Sequence, residues 1–247
     1  GFGTGYDEDL LRAMAEAGGG ATYYIERPDQ AAGVFEEELE GLTSLAAQNA
    51  RVEIRPGAHA DFIQVVHGYP SHAEGNALTV EVGDVYAREP RRILMEFLLK
   101  PEAGDVELAE VGRLTVTAHV LMEGGGVELQ TVTLPIALSP VDGGSVQPEV
   151  RREALLLDAA RAREAALRAR EAGDWDAART ILDDTARRAE AMGIDDAEVR
   201  EEIQDLAVMS EAFEARAVSE ADVKYMKQRA YSTESSRRSQ LDRYRRE

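Results

Sequence analysis

Apolar residues recur along this chain with two different periods, and the changes of period divide it. Over the first 49 residues the period is helical. Leu10, Leu11, Met14 and Ala15 share one face of a predicted helix facing a core. Asp7 can cap that helix, and Glu8 and Asp9 follow where the helix dipole favours negative charge. Gly18-Gly19-Gly20 predicts the stop, because glycine tolerates the left-handed conformation of a C-terminal cap. Ala21–Glu26 (ATYYIE) is rich in strand formers. Pro28 suits a first helical position, and Phe35, Leu39, Leu42 and Ala46 predict one apolar stripe on a long helix running to Asn49.

From Ala50 to about Ser139 the period becomes two. Val52 and Ile54 alternate with Arg51, Glu53 and Arg55, and Leu78, Val80 and Val82 alternate with Thr79 and Glu81. Ile93, Met95, Phe97 and Leu99 share a face, as do Leu114, Val116, Ala118 and Val120. Gly68-Tyr69-Pro70 and Gly124-Gly125-Gly126 punctuate these runs, the latter as a hairpin connection. Short strands of this kind predict an antiparallel β-sandwich over 50–141.

The helical period then returns. Asp142-Gly143-Gly144-Ser145 reads as a linker and Pro148 as the opening of a helix. Ala159, Ala162, Ala166 and Ala169 form a small-residue face that permits close approach of a neighbour. After Gly173-Asp174, the residues Trp175, Ala178, Leu182, Thr185, Ala189 and Met192 predict one face of a second helix. Asp195 or Asp196 can cap a third, with Val199, Ile203, Leu206, Ser210 and Phe213 inward. The segment 146–231 therefore reads as a helical hairpin or three-helix bundle. The stretch A-x-x-A-G-D-W-x-x-A at Ala169–Ala178 resembles a single tetratricopeptide-like hairpin, and one hairpin cannot build a solenoid. Residues 232–247 read as a basic, fraying tail.

The order of the opening elements resembles the C-terminal end of a von Willebrand factor type A (VWA) domain. Gly1-Phe2-Gly3, Asp7–Leu11, Gly18–Gly20 and Tyr23-Tyr24-Ile25 sit where bacterial members of that family have a glycine loop, a short helix, an edge strand and a last long helix. Gly83-Asp84-Val85-Tyr86-Ala87-Arg88-Glu89 is similar to a pattern in the sandwich that follows some bacterial VWA domains. The resemblance implies that residues 1–49 close a doubly wound, Rossmann-like α/β domain whose N-terminal part and remaining sheet lie upstream of Gly1. It also implies a metal-ion-dependent adhesion site holding Mg2+ or another divalent cation. The family's ligands are a DxSxS loop and a Thr and an Asp in later loops. No DxSxS occurs here, so no metal ligand transfers to any residue of this chain.

Composition narrows the function classes. The 247 residues carry a formal charge of −19, against non-specific nucleic-acid binding, which needs clustered Lys and Arg. The basic exception is Lys224–Glu247, with Lys224, Lys227, Arg229, Arg237, Arg238, Arg243, Arg245 and Arg246, which reads as a solvated end or a surface for an acidic partner. The absence of cysteine removes disulfides and thiolate chemistry and fits a reducing compartment, favouring the cytoplasm. No apolar run is long enough to span a bilayer.

The residues that invite chemical readings have plainer ones. Gly1, Gly3 and Gly5 approach a dinucleotide fingerprint, but Tyr6 occupies its last glycine position. His59, His67 and His72 are close in sequence but fall on different loops and a strand, and His119 lies on the polar face of its strand. Glu36-Glu37-Glu38 and Glu40 point in several directions around a helix, unlike paired catalytic carboxylates. Trp175 fits helix packing, and GxSxG is absent. The expectation is an α+β multidomain chain with no catalytic, cofactor or metal residue of its own. It belongs to a non-enzymatic, adhesion-type protein that binds a protein partner. The alternatives are a regulatory subunit of an enzyme complex and a scaffold acting through the C-terminal hairpin.

Overall fold

The computed structural model describes residues 5–18, 22–25, 27–87, 90–100, 109–122, 124–138 and 146–236. Its elements are α1 (Glu8–Ala17), α2 (Gln30–Thr43), β1 (Leu45–Pro56), β2 (Ala60–Val65), β3 (Ser71–Glu74), β4 (Ala77–Tyr86), β5 (Met95–Leu99), β6 (Ala109–Leu121), β7 (Val127–Leu138), α3 (Pro148–Glu171), α4 (Trp175–Ala191), α5 (Ala197–Glu214) and α6 (Glu220–Glu234). The class is α+β, with antiparallel sheets and a helical C-terminal part.

Contacts divide the chain into two units. One takes the described residues of Gly1–Met14, Ala21–Ala32 and Val146–Glu247, the other those of Ala15–Gly20 and Gly33–Ser145. Residues of the 1–49 segment fall in both.

In the strand unit a five-stranded sheet of order β3-β4-β1-β6-β7 accompanies a two-stranded sheet, β2-β5. Alternation dictates what is buried. Val52, Ile54, Val80 and Val82 point into one core, and Phe62, Val65, Met95 and Phe97 of the smaller sheet pack against it. The Phe62 and Phe97 rings meet edge-on at 5.5 Å. Leu114, Val116 and Ala118 join them from β6, whereas Leu99 is exposed. Gly57 is required where β1 turns toward β2, because a Cβ there would lie 2.4 Å from the Glu110 carbonyl oxygen.

The helix expected to reach Asn49 ends at Thr43, and Ser44 alone separates it from β1. Leu45 and Ala47 pair with Tyr86 and Val85 of β4, while Ala47 and Gln48 pair with Val120 and His119 of β6. A ladder on both sides outweighs the high helix propensity of Leu45, Ala46, Ala47 and Gln48. The strand kinks at Asn49 (φ 53°), near Gly83 (φ 81°), where the register shifts. The described part of the Gly83–Glu89 pattern thus starts at a bulge inside β4.

Other parts of the opening segment differ as well. Pro28 lies in a turn ahead of α2. Of the expected strand Ala21–Glu26, Thr22–Tyr24 are irregular and Ile25 makes a single bridge. Gly1-Phe2-Gly3, Gly19-Gly20, the Asp142–Ser145 linker and Arg237–Glu247 lie outside the described residues.

The helical unit has four helices from Pro148 onward where a hairpin or three-helix bundle was expected. Ser219 and Asp222 form a capping box that starts the extra one, α6. Asp174 caps α4 and Asp196 caps α5 by accepting the Ala177 and Val199 amides. Ala159, Ala162, Ala166, Leu182, Leu206, Phe213 and Met226 make the core. Each large side chain buried here contributes about 1.5–3 kcal/mol relative to exposure. Met192, expected inward, is exposed at the C-cap of α4.

Candidate functional site

On α6, Lys224, Lys227, Gln228 and Tyr231 fall at the three- and four-residue spacing of one helix face. That face receives the acidic start of α1. Lys224 is 4% exposed, and its Nζ donates to the Tyr6 carbonyl at 3.0 Å and contacts the Glu8 carboxylate. It also lies 4.1 Å from the centre of the Tyr6 ring. Lys227 donates to Asp9 at 2.9 Å, and the Gln228 amide donates to the Thr22 carbonyl at 2.8 Å. Arg12 reaches Glu234 at 3.0 Å and Glu164 at 3.4 Å, with its guanidinium over the Tyr231 ring.

A cleft of about 220 Å³ opens among these groups, lined also by Leu11, Leu167, Arg168 and Glu171. Burial lowers the Lys224 pKa, with repulsion from Lys227 adding to it and Asp7 opposing. Burial and Tyr24 push the Tyr6 phenol up to about 12. Burial and Glu164 raise the Glu234 carboxyl, against Arg12 and Arg161. The described lining is made of carboxylates, lysines, arginines, tyrosines, Thr22, Gln228 and two leucines. What the arrangement can do is recognise charge: it already holds an acidic segment on a basic and aromatic helix face.

The helical unit also holds a buried network that no motif announced. Arg163 on α3 donates to Glu202 and, at 2.6 Å, to Asp205, both on α5. Arg229 donates to Glu202 at 3.0 Å and the Tyr225 hydroxyl to Asp205 at 2.9 Å. The sequence signal is slight: Arg163 interrupts the alanine face of α3, and Glu202 and Asp205 flank the inward Ile203 and Leu206.

The residues singled out from the sequence scatter. His67 is buried, and its Nδ1 accepts the Leu94 amide at 2.9 Å, next to the Tyr69 ring. His72 stands exposed on β3, 3.9 Å from Glu81, His59 lies in the turn before β2, and His119 is exposed on β6. Among the described residues no group of three His, Cys, Asp or Glu side chains could hold a metal. Glu36 is exposed on α2, and the side chains of Glu37, Glu38 and Glu40 lie outside what is described. Trp175 packs 6.0 Å from the Phe213 ring beneath Arg170. Of the basic end expected to be solvated, Lys224, Lys227 and Arg229 are paired with acidic residues of this chain, and Arg237–Glu247 lie outside the described residues. No described helix is long and apolar enough to cross a membrane.

No model of a known protein family matches the chain. Over 108 residues it is 26% identical to the uncharacterised protein sll0103 of Synechocystis sp., a match covering 40% of this chain and 26% of that protein. A solved structure described as a von Willebrand factor type A from Catenulispora acidiphila superposes with a TM-score of 0.55 at 17% identity, over 92% of this chain and 49% of that one. The chain thus spans about half of the solved protein and a quarter of the cyanobacterial one. Its α+β fold is VWA-like in that it is shared with a VWA protein.

Proposed function

We propose that this chain is the distal part of a VWA-type interaction protein that binds a protein partner and performs no catalysis. The supporting observation is the placement of its apolar helix residues. Leu10 and Met14 on α1, and Phe35 and Leu39 on α2, are exposed at a spacing of four, so each helix shows an apolar face. Helices of doubly wound folds lay such faces on a parallel sheet, and a sheet contributed from outside these residues would cover them.

On this reading the divalent cation of the adhesion site is held by residues other than those of this chain. The described donors here do not fit it. The partner is a protein that engages that distant site. Because Ser44 alone joins α2 to β1, a displacement of α2 would reach the first sandwich strand.

Hydrogen exchange on the intact protein and on this chain, each with Mg2+ and after chelation, tests the reading. The expected result is added protection across Leu10–Met14 and Phe35–Leu39 in the intact protein, with a response to Mg2+ in the intact protein alone. Equal exchange of both helices in the two proteins would overturn it.

A further inference from the structure

Strand β7 is the outer strand of the five-stranded sheet, and among the described residues nothing pairs with its other side. It is long, from Val127 to Leu138, and Glu128 is its one charged residue. Long edges with few charges are the ones that take up another strand.

The core face of the sheet continues onto β7, where it stays half exposed among the described residues. Leu114 and Val116 of β6 pack against the sandwich core, and their neighbours across the ladder are Leu134 and Val132. Those two remain 50% and 51% exposed. On the opposite face, Thr115 meets Thr133 and Thr117 meets Thr131, with hydroxyl oxygens 3.4 and 3.5 Å apart.

The backbone of β7 has a definite parity. Thr–Thr approach of this kind fits narrow, non-hydrogen-bonded pairs of an antiparallel ladder. Pro135 pairs with Arg113 and shares that parity, and a proline is tolerated on an edge when its nitrogen faces away from the neighbour. Both observations turn the amides and carbonyls of Val127, Leu129, Thr131 and Thr133 outward.

We propose that two copies of this chain associate by antiparallel pairing of β7 with β7. A two-fold axis at Val132 sets Thr131 opposite the partner's Thr133, so that outward-facing backbone groups meet there, whereas Pro135 offers only its carbonyl to the partner's Leu129. Val132 then lies against the partner's Val132, and Leu134 lies diagonal to it. Glu128 falls opposite the partner's Ile136, so no like charges oppose one another in this register. For a chain of net charge −19, the nearly neutral strand is where two copies approach with least repulsion. The dimer does not depend on the VWA reading.

Sedimentation of the full chain across a range of concentrations tests it, alongside hydrogen exchange at Thr131 and Thr133. The expected result is a concentration-dependent dimer whose Thr131 and Thr133 amides become protected as it forms. Thr131→Pro removes an outward amide and shifts the chain to monomer. Val132→Lys, which keeps every backbone donor, weakens the dimer by placing like charges at the axis. A chain that stays monomeric at every concentration overturns the proposal, as does a dimer unaffected by both substitutions. Protection of Thr131 and Thr133 in a monomer overturns it too, and would mean that this protein's own chain covers β7.

Discussion

Arg163 on α3 and Glu202 on α5 form an ion pair whose side chains are 0% and 2% exposed. Burial alone would lower the Arg163 pKa and raise that of Glu202. The carboxylates of Glu202 and Asp205 reverse the first effect, and Arg163 and Arg229 reverse the second, so both groups stay charged inside the helical unit. Removing one partner strands a buried charge, which costs about 3–5 kcal/mol. Arg163→Met is expected to lose that much in denaturant unfolding followed by Trp175, the only tryptophan. The double variant Arg163→Met/Glu202→Leu is expected to recover only part of it, because Asp205 still lacks Arg163 and Arg229 then lacks Glu202. A single variant as stable as the parent would mean that the pair is not buried in solution.

Acidification acts on the same pair. A carboxyl whose pKa is depressed on folding adds stability that is present above its unfolded value, near 4.3, and lost as the pH falls through the folded value. Glu202 is of this kind. Glu234 is raised instead, so its contribution is present at low pH and fades as the pH rises through its folded value. The helical unit is expected to weaken below about pH 4, and Glu202→Gln is expected to flatten that part of the curve. The same acid slope in variant and parent would sink the assignment to Glu202.

The start of α5 separates two adjacent acids. Asp196 accepts the Val199 amide, whereas Asp195 pairs with Arg200 at the surface. Asp196→Ala is expected to cost about 1 kcal/mol. Asp195→Ala should stay within about 0.5 kcal/mol. Thermal melts of the two variants check this, and the reverse order would assign the cap to the other residue.

Leucines of the two kinds should respond differently. Leu182 is fully buried on α4, and Leu10 is exposed on α1. Leu182→Ala is expected to destabilise this chain by about 2–5 kcal/mol. Leu10→Ala is expected to change it by no more than about 0.5 kcal/mol. A large loss from the Leu10 substitution, read by denaturation, would show that its side chain is covered.

Charge holds the start of α1 on α6, and that contact should respond to salt. The Lys227–Asp9 pair is partly exposed, and Lys227→Ala is expected to cost less than about 1 kcal/mol. Lys224→Met should free α1 far more, because the lost ammonium is the buried one that contacts both Tyr6 and Glu8. Limited proteolysis of Asp7–Arg12 should accelerate strongly in Lys224→Met, weakly in Lys227→Ala, and in the parent at high salt. No difference between the two variants would remove Lys224 from its role.

Much of this architecture could be read from period. Val52, Ile54, Val80 and Val82 had to share a face because strand side chains alternate, and they do. Ala178, Leu182, Val199, Leu206 and Phe213 turned inward because helix faces repeat at 3.6 residues. Asp7, Asp174 and Asp196 cap because a short acceptor before a helix meets amides that have no partner within it.

Period says which residues agree with one another, and it is silent on what they meet. Leu45–Asn49 had no fixed identity until β4 and β6 supplied ladders on both sides. Leu10, Met14, Phe35 and Leu39 agree on helix faces that stay exposed among the described residues. Lys224 reads as part of a basic end until Glu8, more than two hundred positions away, neutralises it. The cleft and the buried Arg163 network are built from pairs distant in sequence, with no local pattern to mark them. The chain by itself determined the periods, caps and punctuation, because those rest on neighbouring backbone groups. Tertiary structure alone decided which charges were paired, which apolar faces were covered and which strand was left at the edge, because each depends on a partner brought close only by folding.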